Sequence, residues 1–234
     1  MVRICGVGNI AVNNYNKNSD MITQGLSDTS VDLCIDQAKY FNFQIDDVDK
    51  AQSVPKIMDA ALRVAANSLA KVADQYIYDL ASTAEHQLNY DDPTVDNILE
   101  TIITAREKLY EKNVSDAEEV VLEVNPYIAT MLLKAKAKIS NTDDVLENGC
   151  IGKLYGCKVF VTKNISIVPD GSLTTYKCMM RTKRAIAFAE QVCDIIAYRP
   201  EKRFADAVKG LHLYGAKIVY PDELITINYT INHA

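Results

Sequence analysis

The sequence lacks the patterns that would direct the chain into or through a membrane. It has no stretch of 18 consecutive apolar residues, so no membrane-spanning helix is expected. The first ten residues, MVRICGVGNI, have neither a charged lead nor a cleavage site, so no secretory leader is predicted. The six cysteines are scattered without CxxC spacing, a pattern that favours buried free thiols in a reducing cytoplasm.

Sequence patterns of known catalytic and metal sites are also missing. There is no Walker-type loop, HExxH or GxSxG motif. Gly6-Val7-Gly8 lacks the third glycine and the following helix of a dinucleotide loop. Cys150 and Cys157 could meet across the LYG turn, but no histidine lies nearby in sequence to complete a zinc site or activate a nucleophile. We therefore predict no enzyme activity, no metal and no cofactor.

Positive charge is scarce in the first third of the chain. Residues 1–92 carry 7 Lys/Arg and 13 Asp/Glu, whereas the remainder carries 18 of each. Within the remainder, residues 176–217 hold nine basic and four acidic residues, including the run RTKR at 181–184. That run is open to two interpretations, a contact with nucleic acid or phosphate, and a solvated or salt-bridging loop. The acidic first third and the basic late segment could attract each other within or between subunits.

A long strand followed by a long helix is the most distinctive pattern present. From Val31 to Ile45 the odd positions are mostly apolar and the even positions mostly polar, the period-2 alternation of a half-buried strand. Ser53 and Pro55 offer a helix start, and apolar residues follow at helical spacing as far as Leu80. The strand would span roughly 50 Å, more than the diameter of roughly 45 Å expected for a compact chain of this length. The pattern predicts an arm that projects from the body and holds a neighbour.

The arm is expected to be a two-stranded hairpin. Residues 2–12 predict its first strand, 13–28 a polar loop, and 29–45 its second strand. A lone hairpin is only marginally stable in water, so contact with another surface is expected to order it.

The remaining elements alternate without a regular βαβ rhythm. The first helix is predicted to end near residue 87, and 88–94 to be a turn. Further helices are predicted over 93–112, 126–138 and 185–191, and strands over 119–124, 158–163, 174–180, 193–198, 207–220 and 223–231. The order of these elements predicts an α+β fold rather than a doubly wound sheet.

Two segments resemble the major capsid proteins of tailed phages. Residues 36–52 read DQAKYFNFQIDDVDKAQ and are followed by IMDAALRVAANSLAKVADQYIYDLA at 57–81. The second segment, RFADAVKGLHLYGAKIVYPDELI at 203–225, contains Tyr214 to Lys217 and then Pro221. The resemblance covers nearly the whole chain, although about 115–190 is similar in layout only.

The resemblance implies the capsid fold of the Hong Kong phage type, which encapsulins share. Its parts would be an extended β-hairpin loop, a peripheral domain built on a long spine helix, and an axial domain. Here the loop would be 1–46, the peripheral domain 47–115 and about 188–215 with the spine helix at 55–87, and the axial domain about 116–187 and 216–234.

The same resemblance implies a structural protein that self-assembles into pentamers and hexamers of an icosahedral shell. The shell would enclose double-stranded DNA without sequence-specific binding, and the protein would contact no membrane. Its partners would be copies of itself, with scaffold, portal and other virion proteins. It would be made in the bacterial cytoplasm and reside in the virion.

Ten residues are expected at subunit contacts. Three apolar side chains of the strand would anchor the base of the arm on the spine helix, and acidic groups after it would meet basic groups of the same or a neighbouring subunit. Some family members also form a covalent lysine–asparagine crosslink, for which one lysine near the loop tip is a candidate. The residues are Phe41, Phe43 and Ile45; Asp46, Asp47 and Asp49; Arg199, Lys202 and Arg203; and Lys17.

One departure from the family pattern concerns the N-terminus. Family members usually have an N-terminal arm before the strand that begins here at Val2, so we expect that arm to be missing and shell closure to be less efficient. Three other functions stay open at this stage: an encapsulin-like shell holding cargo, a non-assembling α+β binding module derived from a phage, and an enzyme with an unrecognised site.

Overall fold

A computed structural model describes residues 1–7, 28–47, 57–112, 119–137 and 150–232, together with positions 14, 17, 20, 23, 25 and 114. Among these residues the strands form a two-stranded ribbon, a three-stranded sheet and a seven-stranded sheet. The mixture of helices and largely antiparallel sheets confirms the predicted α+β class.

The predicted long strand is two strands in different sheets. Strand β1 (Val2–Val7) pairs antiparallel with β2 (Asp28–Leu33) to form the ribbon, whereas β3 (Gln37–Asp46) joins the three-stranded sheet. The chain passes from one to the other at residues 34–36. Odd-numbered side chains from Val31 to Ile45 are the less exposed ones on both sides of the break, so periodicity alone cannot reveal it. The predicted continuation of the first strand over 8–12 lies outside the described residues.

The three-stranded sheet has the order β10-β11-β3, with β10 at Ile186–Tyr198 and β11 at Ala205–Ile218. The predicted helix at 185–191 is wrong, because this segment begins β10. Its local sequence, AIAFAEQ, has good helix propensity, but the ladder to β11 runs from the Ile186–Ile218 pair to the Tyr198–Ala207 pair. Tertiary pairing of this length overrides the local helix preference.

The seven-stranded sheet is mixed. Strands β4 and β12 are parallel, as are β5 and β7, and the other pairs are antiparallel. Two of its strands, β6 and β8, had no counterpart in the sequence prediction. In sheet order the strands are β4 (His86–Asp91), β12 (Leu224–Asn232), β9 (Leu173–Thr182), β5 (Val120–Val124), β7 (Cys157–Val161) and β6 (Cys150–Leu154), with β8 (Ile167–Asp170) beside β9.

The turn between β6 and β7 is a two-residue hairpin. Leu154 pairs with Cys157, and both Tyr155 (φ 49°) and Gly156 (φ 79°) adopt the positive φ that a type I′ turn requires. Cys150 pairs with Phe160 instead of approaching Cys157. The suggested meeting of the two cysteines is therefore wrong, and Cys157 is a buried free thiol.

Helix α1 spans Ile57–Asp79 and continues as a short 3-10 turn over Leu80–Thr83. The predicted helix end at 87 is wrong, because residues 86–91 form β4 parallel to β12. The side chain of Asn228 on β12 donates to both Gln87 Oε1 (3.0 Å) and Asn89 Oδ1 (2.7 Å) on β4, and these bonds reinforce the strand pairing. The predicted helix start before Ile57 lies outside the described residues.

Helices α2 (Ile98–Glu111) and α3 (Pro126–Ala137) pack on the larger sheet and form the main core with it. On α2, Ile98 and Ala105 are buried, whereas Ile103 is 44% exposed. The helix starts later than predicted because β4 continues to residue 91 and the Thr94 amide donates to Asn97 Oδ1 (2.7 Å) just before α2.

Helix α1 connects the two larger sheets. Its C-terminal half is held to the seven-stranded sheet region by Asn164 Nδ2, which donates to Asp74 Oδ2 at 3.1 Å. Just after the helix, Lys177 Nζ donates to Ser82 Oγ at 2.8 Å. Near the passage between the sheets, the Val219 amide donates to the Ala185 carbonyl at 2.8 Å.

The division into peripheral and axial domains stays a prediction.

None of the helices in the described part of the chain is long and apolar enough to span a membrane.

Candidate subunit-contact surface

The base of the predicted arm lies against helix α1. On β3, the side chains of odd positions are half-buried and those of even positions are exposed. The rings of Phe41 and Phe43 stack with centroids 5.9 Å apart. Phe41 lies opposite Gly210 of β11, where a Cβ would come within 2.4 Å of Phe41 Cε1, so only glycine leaves room for the ring. Ile45 shares this face of the strand.

An open apolar groove of about 430 Å³ remains between α1 and the three-stranded sheet. Phe41 and Phe188 line it from the sheet, and Leu69, Ala73 and Ile77 line it from the helix. Along the 23 residues of α1, Ala73 is the one buried residue. Because helices in proteins are stabilised mainly by packing of an apolar face, α1 has apolar surface to offer a further partner.

A second apolar stripe runs along the other side of α1. Ile57 is 44% exposed, Val64 is 66% exposed and Val72 is 37% exposed. At about 100° per residue Ile57 and Val64 lie roughly opposite Ala73, whereas Val72 lies about 100° from it, on the flank of the helix. Helical spacing alone predicted one apolar face, so the exposure of Ile57 and Val64 was not foreseen. The sequence did contain a signal of this exposure. Apolar residues occur on more than one side of the helix, which is typical of a helix that is covered on both sides.

Polar groups are set among the apolar walls of the groove. His212 Nε2 lies 3.1 Å from Glu190 Oε1, and the imidazole is 4.7 Å from the ring of Tyr214. The carboxylates of Asp74 and Asp194 also line the groove. The groove therefore combines an apolar contact area with acidic groups that can select the orientation of a bound segment.

Asp47 and Arg199 meet within one chain. Arg199 Nη2 lies 2.6 Å from Asp47 Oδ2, and Arg199 Nε lies 3.0 Å from Asp206 Oδ1. The hydrogen bond and charge of Asp47, followed by the charge of Asp206, raise the pKa of Arg199. The Asp47 amide also donates to the Phe204 carbonyl at 3.0 Å, which ties the end of β3 to the β10–β11 turn. A role of this cluster between subunits stays a prediction.

The other predicted contact residues are more dispersed. Asp46 is exposed and pairs with Ala205 in the strand ladder. Lys202 and Arg203 are exposed in the β10–β11 turn, and Lys17 is exposed. Asp49 lies outside the described residues. The crosslinking role of Lys17 stays a prediction.

Two aromatic residues that the sequence patterns did not mark are strongly exposed. Phe204 is 86% exposed at the end of the β10–β11 turn, and Tyr40 is 77% exposed on β3. The even position of Tyr40 in the period-2 pattern could have revealed its exposure. No comparable periodic signal marks Phe204, because it sits in a turn.

The β1–β2 ribbon has one apolar and one polar face. The register places Val2 opposite Leu33 and Ile4 opposite Val31, so these four side chains share a face. On the other face Arg3 Nη2 donates to Ser30 Oγ at 2.9 Å. In the described part of the chain, β1 and β2 pair only with each other.

Comparisons with known proteins give structural likenesses. Neither a protein-family model nor a curated protein matches the chain. A solved structure of Mycobacterium phage Che8 is 28% identical with a TM-score of 0.75, over 97% of this chain and 83% of that one. The capsid structure of the cyanophage P-SCSP1u is 12% identical with a TM-score of 0.75, over 97% and 83%. The acidic stable capsid structure of Helicobacter pylori bacteriophage KHP30 is 10% identical with a TM-score of 0.68, over 99% and 83%.

These likenesses extend over nearly the whole chain and bear out the resemblance found in the sequence. The chain has the fold of tailed-phage major capsid proteins.

Proposed function

We propose that this protein is the major capsid protein of a tailed phage or prophage. Its copies assemble as pentamers and hexamers into an icosahedral shell that encloses double-stranded DNA, and its place is the virion. The observation that carries the proposal is the likeness to phage capsid structures over 97% or more of the chain. The uncovered surfaces of the ribbon and of α1 support it independently.

The main contact between subunits is apolar. The ribbon of one subunit places its face of Val2, Ile4 and Val31 on the α1 region of a neighbour, where the groove and the outer stripe offer apolar surface. Full burial of each such side chain contributes about 1.5–3 kcal/mol. A contact of a few side chains is weak alone, but closure of a ring and then of a shell repeats it many times.

Assembly of the purified chain tests this function. Size-exclusion chromatography with light scattering and electron microscopy should show discrete pentamers and hexamers, or closed shells. A persistent monomer at high protein concentration would contradict the proposal and favour a non-assembling binding module. Shells that enclose protein instead of DNA when produced in cells would favour an encapsulin-like compartment.

Charge reversal tests the acidic end of the arm base. The double variant Asp46→Lys, Asp47→Lys is expected to lower particle yield, because it replaces two negative charges with two positive ones near Arg199 and the exposed Lys202 and Arg203. Arg199→Gln is the matched control, since it removes the ion pair within the chain without adding repulsion. Unchanged particle counts in electron micrographs of the double variant would rule out a role for these carboxylates in assembly.

A further inference from the structure

The segment that joins the ribbon to the body crosses strand β11 at backbone contact distance. Residues 34–36 lead from the ribbon into the three-stranded sheet, where the pairing of β3 with β11 begins at the Gln37–Tyr214 pair. A Cβ at Gly215 would lie 2.1 Å from the Cys34 carbonyl oxygen and 3.0 Å from Ile35 Cα. Both neighbours are backbone atoms, so no rotation of a side chain could relieve the overlap.

Two further contacts fix the same crossing from either side. On one side, Lys217 Nζ donates to the Asp32 carbonyl at 2.9 Å, so the end of β11 is tied to the base of β2. On the other side, Tyr76 Oη of α1 donates to Asp36 Oδ1 at 3.2 Å. At the base of the ribbon Leu33 is 1% exposed. The ribbon is therefore held at its root by groups from β11 and α1.

Gly215 is required here for space and not for backbone conformation. Its φ does not lie in the left-handed region, and it pairs regularly with Ala189 of β10. Replacing it with alanine would leave strand β11 feasible but would force the two backbones apart by about 1 Å or more, because non-bonded heavy atoms do not approach within 3 Å of a Cβ.

We propose that Gly215 is a positioning residue that sets the direction in which the β1–β2 ribbon leaves the body, with Lys217 and Tyr76 securing that direction. This assigns a physical role to the segment Tyr214 to Lys217, which is part of the resemblance to capsid proteins. A small displacement at the crossing is amplified along the ribbon, since Ser30 lies four residues, or about 13 Å, from Cys34. The consequence for assembly rests on the proposed function, because a misdirected ribbon cannot reach the neighbouring subunit.

The direct test is a distance measurement within the unassembled protein. Spin labels are placed on non-canonical amino acids at the exposed Ser30 of β2 and the exposed Lys153 of β6, and their separation is measured by pulsed electron paramagnetic resonance. Gly215→Ala is expected to shift the mean distance by about 3 Å, given the lever of about 13 Å and a strand spacing of about 4.8 Å. Lys217→Met is expected to broaden the distribution without a large shift of its mean.

Gly210→Ala is the matched control on the same strand. Its added Cβ meets the ring of Phe41 and not the backbone of the ribbon root, so it should lower the melting temperature while the label distance stays the same. A folded Gly215→Ala variant with the wild-type distance would overturn the proposal. If that variant does not fold, a Lys217→Met distribution as narrow as that of the wild type would overturn it.

Particle assembly of the same variants separates this inference from the proposed function. A shifted label distance together with loss of normal particles supports both. A shifted distance with normal particles keeps the positioning role of Gly215 and contradicts a role for the ribbon in assembly.

Discussion

A pair of buried hydroxyl groups joins helix α2 to the larger sheet. The hydroxyls of Thr101 on α2 and Tyr229 on β12 lie 2.6 Å apart, and both residues are nearly fully buried. Thr101 also donates to the Ile98 carbonyl at 2.7 Å, so Tyr229 Oη can donate to Thr101 Oγ1. This bond specifies how α2 sits on the sheet.

Tyr229→Phe should lower the free energy of unfolding by about 1 kcal/mol, the usual net contribution of one hydrogen bond between neutral groups. The loss is limited because Thr101 keeps its bond to Ile98. Urea denaturation followed by circular dichroism measures it. Tyr155→Phe, at a position 45% exposed in the β6–β7 turn, should leave the midpoint unchanged, and equal effects of the two variants would contradict this account.

Acid should weaken a surface ion cluster on the larger sheet. Hydrogen bonds from Lys158 and then Lys183 lower the pKa of Glu119 to about 2. A depressed carboxyl pKa stabilises the fold above the ordinary pKa near 4.5, and that contribution is lost as the pH falls from there to about 2.

Glu119→Gln should therefore reduce the loss of stability between pH 5 and about pH 2, measured as the shift of the urea midpoint. The effect will be small because the cluster is at the surface. Glu107→Gln, an exposed glutamate outside the cluster, controls for the loss of one negative charge. Identical pH profiles of the wild type and Glu119→Gln would show that the cluster does not contribute.

At the scale of elements, α1 has a single buried residue, Ala73, although much of the helix is apolar. One face meets the three-stranded sheet across an open groove. Ile57 and Val64 on the opposite side, with Val72 on the flank, meet solvent in the isolated chain. In an isolated chain the two apolar faces of this helix are exposed to water, which is unfavourable. Assembly would cover them.

Val64→Asp tests the outer stripe. Val64 is 66% exposed, so the variant should change the stability of the unassembled protein by less than about 0.5 kcal/mol. It should nevertheless abolish particle formation if the stripe is covered in the shell, since burial of an unpaired carboxylate is costly. Ser172→Asp, in the exposed turn between β8 and β9, adds the same charge away from α1 and should assemble normally. Normal assembly of Val64→Asp would show that the stripe stays uncovered.

At the scale of the whole molecule, apolar contact should outweigh charge in holding subunits together. Exposed ion pairs such as Asp47–Arg199 contribute about 0–1 kcal/mol each and are screened by salt. A buried aliphatic side chain contributes about 1.5–3 kcal/mol. The acidic first third and the basic late segment would then guide association more than they maintain it.

Particles should consequently remain assembled when the salt concentration is raised from about 0.05 M to about 0.5 M, where the Debye length falls to a few ångströms. Light scattering during stepwise addition of sodium chloride measures this directly. Dissociation into pentamers and hexamers over that range would instead identify charge pairs as the dominant contact.

Much of the architecture was predictable from local pattern. Period-2 alternation marked β3 and its half-buried face, helical spacing marked α1, and Asn125-Pro126 marked the start of α3 within a residue. The α+β class followed from the order of these elements. Two of the errors occurred at 185–191 and 86–91, where each strand is stabilised by partners more than 15 residues away in sequence.

The sequence by itself determined which faces of the strands and helices are apolar, because that depends only on residue type and local period. It also carried the resemblance to capsid proteins, in motifs over 36–52 and 203–225. Only the tertiary structure decided that the long strand breaks at 34–36, that Phe41 lies over Gly210, and that Gly215 adjoins the ribbon root. Those facts depend on which strands meet across long separations in sequence, and no local pattern encodes such distances.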